Sequence, residues 1–357
     1  MEIIYGVCSW GLGHATRSLP IIRKLLKENH NITIISNGRS LDLLKKELKD
    51  EVNYKDIPDY PQLLSRNAKQ FMAKSIIYWP LFIKRIESGL IKLAEILKER
   101  KYNLIISDSR YDIYNKKIPS FFISHQMRIM NPLRIKIFES GSELFNQFFF
   151  KRFVKVIVPD YREDGLSGDL SHNLKRIDEN SIHYIGPLSD FKKRKVNKDI
   201  DYLISISGPE PQRSMLENKL ISQCEVLEGR IVVTLGKTEE KLKIKKKNIT
   251  TYTFLSKKER EELLNRSKIV ISRSGYSTIM DLAVIKTKAL LIPTPGQIEQ
   301  EYLSRYHNKL GTFFSVNQQN INLINDLEKL KDTTGIKRDC NVEKTVENFM
   351  DIVCSLY

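Results

Sequence analysis

Short apolar runs of strand length alternate along the chain with longer stretches in which apolar residues recur every three or four positions. The runs at 2–8, 31–36, 52–57, 103–107, 119–124, 154–158 and 182–185 are rich in Ile, Val and Phe and predict buried strands. Between them, Leu19, Ile22, Leu25 and Leu26 fall on one helical face, and 41–48 predicts a second helix. A turn-rich stretch at 58–67 leads into a long helix over 71–99, broken or kinked where Pro80 follows Trp79. Another helix is predicted over 134–153. After residue 200 the alternation starts afresh. Strands are predicted at 202–206, 230–234, 250–254, 269–271, 289–292 and 311–316, with helices at 257–265, 276–284, 299–308, 320–330 and 342–357. Strands alternating with helices imply parallel, doubly wound sheets, and 357 residues are too many for one average core. The expected organisation is an N-terminal Rossmann-like domain over 1–186, an exposed charged linker over 187–200, a second Rossmann-like domain over 201–340 and a terminal helix over 341–357.

Charge adds a constraint on partners. Lys and Arg number 59 against 43 Asp and Glu, a formal net charge of +16. Such an excess calls for a phosphorylated ligand, an acidic membrane or nucleic acid. No nucleic-acid-binding motif accompanies the charge, and the lysine run at 241–247 reads as solvated surface, so nucleic acid is not expected. Cys8, Cys224, Cys340 and Cys354 show neither CxxC pairing nor a metal-binding spacing with the six histidines. They read as reduced thiols of a cytoplasmic protein, and no metal is expected. No stretch reaches the roughly 18 apolar residues of a membrane span, and the start of the chain carries no signal-peptide pattern. The expected location is cytoplasmic, either free or peripheral on the cytoplasmic face of the membrane.

The residues that can carry chemistry gather at strand ends broken by glycine. Over 269–300 an apolar strand breaks at Ser272-Arg273-Ser274-Gly275, a helix starts at Tyr276, and a second strand ends in Pro293-Thr294-Pro295-Gly296. The first N–H groups of a helix lack internal partners and the helix dipole adds positive potential, so this junction suits an anion. Asp281, two turns into the helix, leans back toward the N-terminus and can reach a hydroxyl on a ligand whose phosphate sits at the turn. A nucleotide or a sugar phosphate fits. A second such junction, at 9–18, carries Gly11, Gly13, His14 and Arg17 but lacks the full dinucleotide fingerprint. His14 there, taken by itself, reads as a helix cap that satisfies loop hydrogen bonds. Asp108 ends the strand over 103–107, where open α/β sheets place ligands; it orients His14, binds an acceptor, or caps a helix. His125 and Gln126 follow the strand over 119–124.

R-S-G-x-x-T-x-x-[DE] followed by P-x-P and E-Q, over 273–300, resembles the donor-site signature of GT-B glycosyltransferases, most closely glycosyltransferase family 28. GLGHATRS at 11–18 is similar to that family's GxGGHxxP loop, and His125-Gln126 matches part of its His-Glu-Gln-Asn motif. The resemblance covers nearly the whole chain, with the more specific motifs in the second half. It implies two Rossmann-like domains facing a central cleft. The donor side would hold Ser274 and Gly275 at the diphosphate with Arg273, Ser277 and Thr278 around them, Asp281 at the ribose, and Gln300 at the sugar beside Gln297. Asp281 is one methylene shorter than the Glu of many relatives. Gly208 belongs to a second phosphate-facing loop, Arg213 meets a phosphate or the base edge, and Phe254 lies in the turn that reads uracil. The acceptor side would hold Gly11, Gly13, Arg17, His125 and Gln126, with His14 and Asp108 catalytic.

The activity implied is an inverting, metal-independent transfer of GlcNAc or a related hexose from a UDP-sugar to an acceptor hydroxyl. The UDP-sugar is a substrate and no cofactor is needed. Alternatives are a UDP-sugar hydrolase, a UDP-GlcNAc epimerase, a catalytically dead sugar-nucleotide sensor and, in another class, a basic nucleic-acid-binding protein. Segments 71–92 and 134–155 mix bulky apolar groups with Lys and Arg, which suits an anionic membrane carrying a lipid-linked acceptor. The alternative there is that Phe145, Phe148 and Phe149, at helical spacing, are core.

Overall fold

The structure is a computed structural model and describes residues 1–61, 68–131, 133–237 and 242–355. Residues 62–67 of the turn expected over 58–67, residue 241 of the lysine run and the last two residues of the expected terminal helix lie outside that set. The chain divides into two compact units, Met1–Asp190 with Asn341–Tyr357, and Phe191–Cys340.

The first unit is built on β1 (Glu2–Val7), β2 (Asn31–Ser36), β3 (Asn53–Asp56), β4 (Leu104–Asp108), β5 (Ser120–Ile123), β6 (Lys155–Val158) and β7 (Ile182–Tyr184). Their spatial order is β3-β2-β1-β4-β5-β6-β7, and every pairing is parallel. Strands of such a sheet are covered on both faces, which is why they read as unbroken apolar runs. Ile3, Ile4, Tyr5 and Val7 of β1 and Leu104, Ile105 and Ile106 of β4 are all fully buried. The helices are α1 (Leu12–Lys27), α2 (Gly38–Leu48), α3 (Ala68–Glu99) and α4 (Lys136–Phe150). One face of α1 buries Leu19, Ile21, Ile22 and Leu25. Of the break or kink expected at Pro80, the break is absent: α3 runs through it as one element of 32 residues. The missing proline N–H affects a single turn, while Ile86, Leu93 and Ile96 anchor the rest of the helix in the core.

The second unit contains β8 (Ile200–Ser205), β9 (Ile231–Thr234), β10 (Lys243–Lys246), β11 (Ile249–Tyr252), β12 (Ser267–Ser272), β13 (Lys288–Leu291) and β14 (Phe314–Ser315). Its sheet order is β10-β11-β9-β8-β12-β13-β14. Here β10 is antiparallel to its neighbour and the other pairings are parallel. The helices are α5 (Gln212–Cys224), α6 (Lys257–Arg266), α7 (Tyr276–Ile285), α8 (Ile298–Lys309) and α9 (Leu323–Glu328). A last helix, α10 (Val342–Cys354), belongs to the first unit. It buries Val346, Phe349 and Val353, and Asn348 donates from Nδ2 to the Ile185 carbonyl at 3.1 Å.

One expectation is borne out and another corrected. The lysine run read as solvated surface is exposed along Lys243–Lys246, where it also forms β10, an edge strand; lysines on an edge discourage further strand pairing. The linker expected to be exposed is buried from Pro187 to Phe191 and emerges only at Lys192. Leu188 and Phe191 supply apolar anchors, and Arg23 pairs with Asp190.

In both sheets the strand order reverses beside the first strand, between β1 and β4 in one and between β8 and β12 in the other. Open α/β sheets bind ligands outside the carboxyl ends of strands at that point.

Candidate active site

In the first unit Val7 of β1 lies opposite Asp108 of β4, and the Cys8 N–H donates to the Asp108 carbonyl at 3.0 Å. The chain then passes through Gly11, whose φ of 138° is open to glycine, and the Gly13 carbonyl accepts from Thr16 Oγ1 at 3.1 Å. From there α1 presents His14, Arg17 and Ser18 on one face, at i, i+3 and i+4. All three converge on Asp108. His14 Nδ1 lies 2.8 Å from Asp108 Oδ1. Arg17 donates from Nε to Oδ2 at 2.8 Å and from Nη2 to Oδ1, and Ser18 Oγ donates to Oδ2 at 3.0 Å. Arg17 also reaches His125, with Nη1 2.8 Å from the ring Nδ1. Asp108, Arg17 and His125 are buried, whereas His14 keeps 18% of its side chain exposed and is the member a substrate can reach.

Burial alone would push the Asp108 carboxyl up, but the Arg17 guanidinium and His14 outweigh it and hold the group well below the usual carboxylate range. Asp108 is therefore an ionised orienting group; no helix follows it for it to cap. Gln126 comes next to His125, its N–H donating to Ser124 Oγ at 3.0 Å and its side chain half-exposed. Sequence reasoning missed Ser18, although its spacing from His14 carried the signal. It also missed the charged support beneath the loops. Fully buried Arg110 pairs with Asp112 at 2.6 Å and lies 3.6 Å from Asp59, and Asp59 accepts the Ser9 N–H at 2.7 Å.

The second unit repeats the arrangement with different side chains. Ser205 of β8 lies opposite Ser272 of β12, so the loop at Ser207-Gly208 and the turn at Arg273-Ser274-Gly275 leave adjacent strands. Gly208 has a φ of 117°. Arg273 is 2% exposed and donates only to backbone carbonyls: Ser207 at 3.2 Å, Gln212 at 3.0 Å, Ile292 at 3.3 Å and Pro293 at 3.2 Å. Among the described residues no carboxylate pairs with it. Burial pushes its pKa down to about 10, which leaves it charged at neutral pH. A buried cation without a counter-charge, set beneath two glycine turns, favours an anion above it. Buried Thr294, whose Oγ1 has no partner, faces the same ground. A Cβ placed on Gly208 would lie 3.6 Å from both that hydroxyl and Arg273 Nε. Sequence reasoning gave Thr294 no role.

Gly275 is the N-cap of α7, and no side chain caps the helix there. Its φ of −68° is ordinary, and a Cβ would come no nearer than 4.0 Å to Gln300 Nε2 and Thr278 Oγ1. The turn itself does not need glycine. Ser277 and Thr278 stand one turn before Asp281 on α7, all three half-buried. Ser274 Oγ donates to the Gln300 carbonyl at 2.8 Å. Gln300 accepts the Thr294 N–H at 2.9 Å and bonds Gln297 Oε1, so both glutamines brace the 294–297 turn. Arg213 pairs with Glu210 and donates to the Leu235 carbonyl at 3.2 Å. Phe254 is half-buried after β11, and Ser256 forms a capping box with Glu259 at the start of α6. An Asp-x-Asp triplet, Asp199-Ile200-Asp201, sits at the opposite end of β8, paired with Arg266 at 2.7 Å and Lys268 at 2.8 Å.

Residues 215–344 match the glycosyltransferase family 28 C-terminal domain, and residues 1–121 match glycosyl transferase family 1. The chain is a family 28-like GT-B glycosyltransferase. This transferase is 26% identical over 326 residues to an uncharacterized glycosyltransferase of Methanosarcina mazei, covering 84% of this chain and 82% of the other. It is 24% identical over 356 residues, 95% of this chain and 91% of the other, to the UDP-N-acetylglucosamine–N-acetylmuramyl-(pentapeptide) pyrophosphoryl-undecaprenol N-acetylglucosamine transferase of Pelagibacter ubique. The crystal structure of the glycotransferase of kitacinnamycin superposes with a TM-score of 0.63 at 13% identity, covering 99% of this chain and 95% of the other.

Proposed function

We propose that this transferase is an inverting enzyme that moves GlcNAc or a related hexose from a UDP-sugar to a hydroxyl of a lipid-linked acceptor. The observation that carries the reading is the His14–Asp108 pair at the switch point of the first sheet, with only the histidine exposed. The carboxylate accepts a hydrogen bond from the protonated Nδ1, which leaves Nε2 as the base. Nε2 accepts the acceptor's hydroxyl proton while that oxygen bonds to the anomeric carbon. The bond from that carbon to the diphosphate breaks and UDP leaves with the electron pair. The open N-terminus of α7 and the Arg273 charge meet the anion that forms, and turnover is expected to survive a metal chelator. The Pelagibacter ubique relative, whose name pairs UDP-GlcNAc with an undecaprenol-linked acceptor, supports this choice of substrates.

A lipid surface has physical support as well. Ile77, Trp79 and Leu81 of α3 and Phe138, Leu144 and Phe148 of α4 are exposed. Trp79 packs against Phe145 with ring centroids 4.9 Å apart, which joins the two helices, and Lys84, Arg85 and Lys136 are exposed nearby in sequence. Aromatics beside cations suit a bilayer interface. Among the described residues no helix is long and apolar enough to cross a membrane.

A panel of UDP-, GDP- and TDP-sugars tests the reading, with release of the nucleotide measured with and without a polyprenyl-pyrophosphate sugar. UDP-GlcNAc or a close analogue should be consumed only with the acceptor. His14→Ala should lower turnover roughly 100-fold while leaving UDP affinity unchanged. UDP released at full rate without acceptor would make the protein a hydrolase, and intact turnover in the variant would place the base elsewhere.

A further inference from the structure

Arg17 stands within reach of both His14 and His125, and a guanidinium can only donate hydrogen bonds. That one-sidedness fixes where protons lie. Arg17 Nη1 is 2.8 Å from His125 Nδ1, so that nitrogen must offer its lone pair and the His125 proton must sit on Nε2. At His14 the order is reversed. Its Nδ1 has two neighbours, Asp108 Oδ1 at 2.8 Å and Arg17 Nη2 at 3.0 Å. Nη2 carries two protons, and both have other acceptors, Asp108 Oδ1 and Ser109 Oγ at 3.3 Å. The carboxylate can only accept, so His14 Nδ1 holds the proton and Nε2 is bare.

We propose that Arg17 is a positioning residue that, together with Asp108, holds His14 and His125 in opposite tautomers and leaves the site a single base. His125 cannot take a proton at Nδ1 while Arg17 donates to it, and its Nε2 is already protonated. Asp108 is excluded too, because Arg17 and Ser18 occupy both its oxygens. The arrangement turns a cluster of three candidate bases into one with assigned roles. The fork of the guanidinium is essential to this: Nε and Nη2 hold the carboxylate while Nη1 reaches the ring, a span one ammonium cannot copy.

The inference rests on His14 being the base, but its test does not. Nitrogen-15 NMR of uniformly labelled full-length protein near neutral pH distinguishes protonated from bare ring nitrogens, with His14→Asn and His125→Asn spectra giving the assignments. The wild type should show His125 with a bare Nδ1 and protonated Nε2, and His14 with the reverse. Arg17→Lys should keep the charge and the fold, release His125 into mixed tautomers and leave His14 fixed by Asp108. Asp108→Asn should scramble His14. The same Arg17→Lys protein should bind UDP as the wild type does yet turn over on the order of tenfold more slowly. A proton on His125 Nδ1 in the wild type, or an unaltered His125 in Arg17→Lys, overturns the proposal. If the tautomers are as stated but His14→Ala retains full turnover, the reading of His14 as base fails while the assignment of protons stands.

Discussion

Gly275 is a position where fold and ligand can be separated with one methyl group. Its backbone is in ordinary territory and a Cβ has 4.0 Å of clearance, so Gly275→Ala should unfold at the wild-type temperature. If a phosphate approaches the first N–H groups of α7, the same methyl obstructs it. We expect UDP affinity to fall at least tenfold, about 1.4 kcal/mol, by calorimetry; unchanged binding in the folded variant would move the donor away from this turn. Gly11 makes the opposite case. Its φ of 138° excludes side chains, so substitution there strains the loop itself. The residues that the sequence made legible are those whose chemistry depends on local order: a histidine after glycines and an aspartate at a strand end. What it did not reveal are pairings between distant residues. Arg213 looks available from its loop but is held by Glu210, and Arg17 becomes a link between histidines only when β5 brings His125 alongside α1.

At the scale of elements, α3 and α4 carry one test between them. Trp79 is 48% exposed and Phe148 60% exposed, while Phe149 between the same helices and the sheet is buried. The phenylalanine cluster is thus divided, partly core and partly a face turned outward. Vesicles rich in anionic lipid should bind the protein at low salt, lose it at high salt, and bind the Trp79→Ser, Phe82→Ser, Lys84→Ser variant several-fold more weakly. No binding to such vesicles at low salt would move the acceptor into solution. The sequence located these helices, and of the break or kink it allowed at Pro80 the break does not occur, because a local rule about proline takes no account of the packing of Leu93 and Ile96 farther along. It missed β10 for a related reason. Four exposed residues, Lys243–Lys246, have no apolar pattern to display, and only the neighbouring β11 makes them a strand.

For the whole molecule, two Rossmann-like sheets followed from the alternation of runs, since a parallel strand buried on both faces shows itself without any partner. The return of α10 to the first unit did not. Nothing in an amphipathic helix says which surface receives it; that is settled by α1, against which it packs, and by the Asn348 bond to Ile185. Phe349 is fully buried there. Phe349→Ala should destabilise the first unit by about 3–5 kcal/mol, read as an earlier unfolding transition, with UDP still bound by the second unit. Loss of UDP binding with no earlier transition would contradict this assignment.

The same return makes the second unit an insertion in the first, and this sets a schedule for synthesis. Residues 191–340 are all synthesised before any of α10 exists. During that interval the second domain can close its own core, while the first is still missing the helix that covers α1. A chain that stops at residue 340 thus holds every residue of one domain and lacks a helix of the other, and the half left incomplete is the one bearing His14 and Asp108. The half begun first in translation is the half completed last.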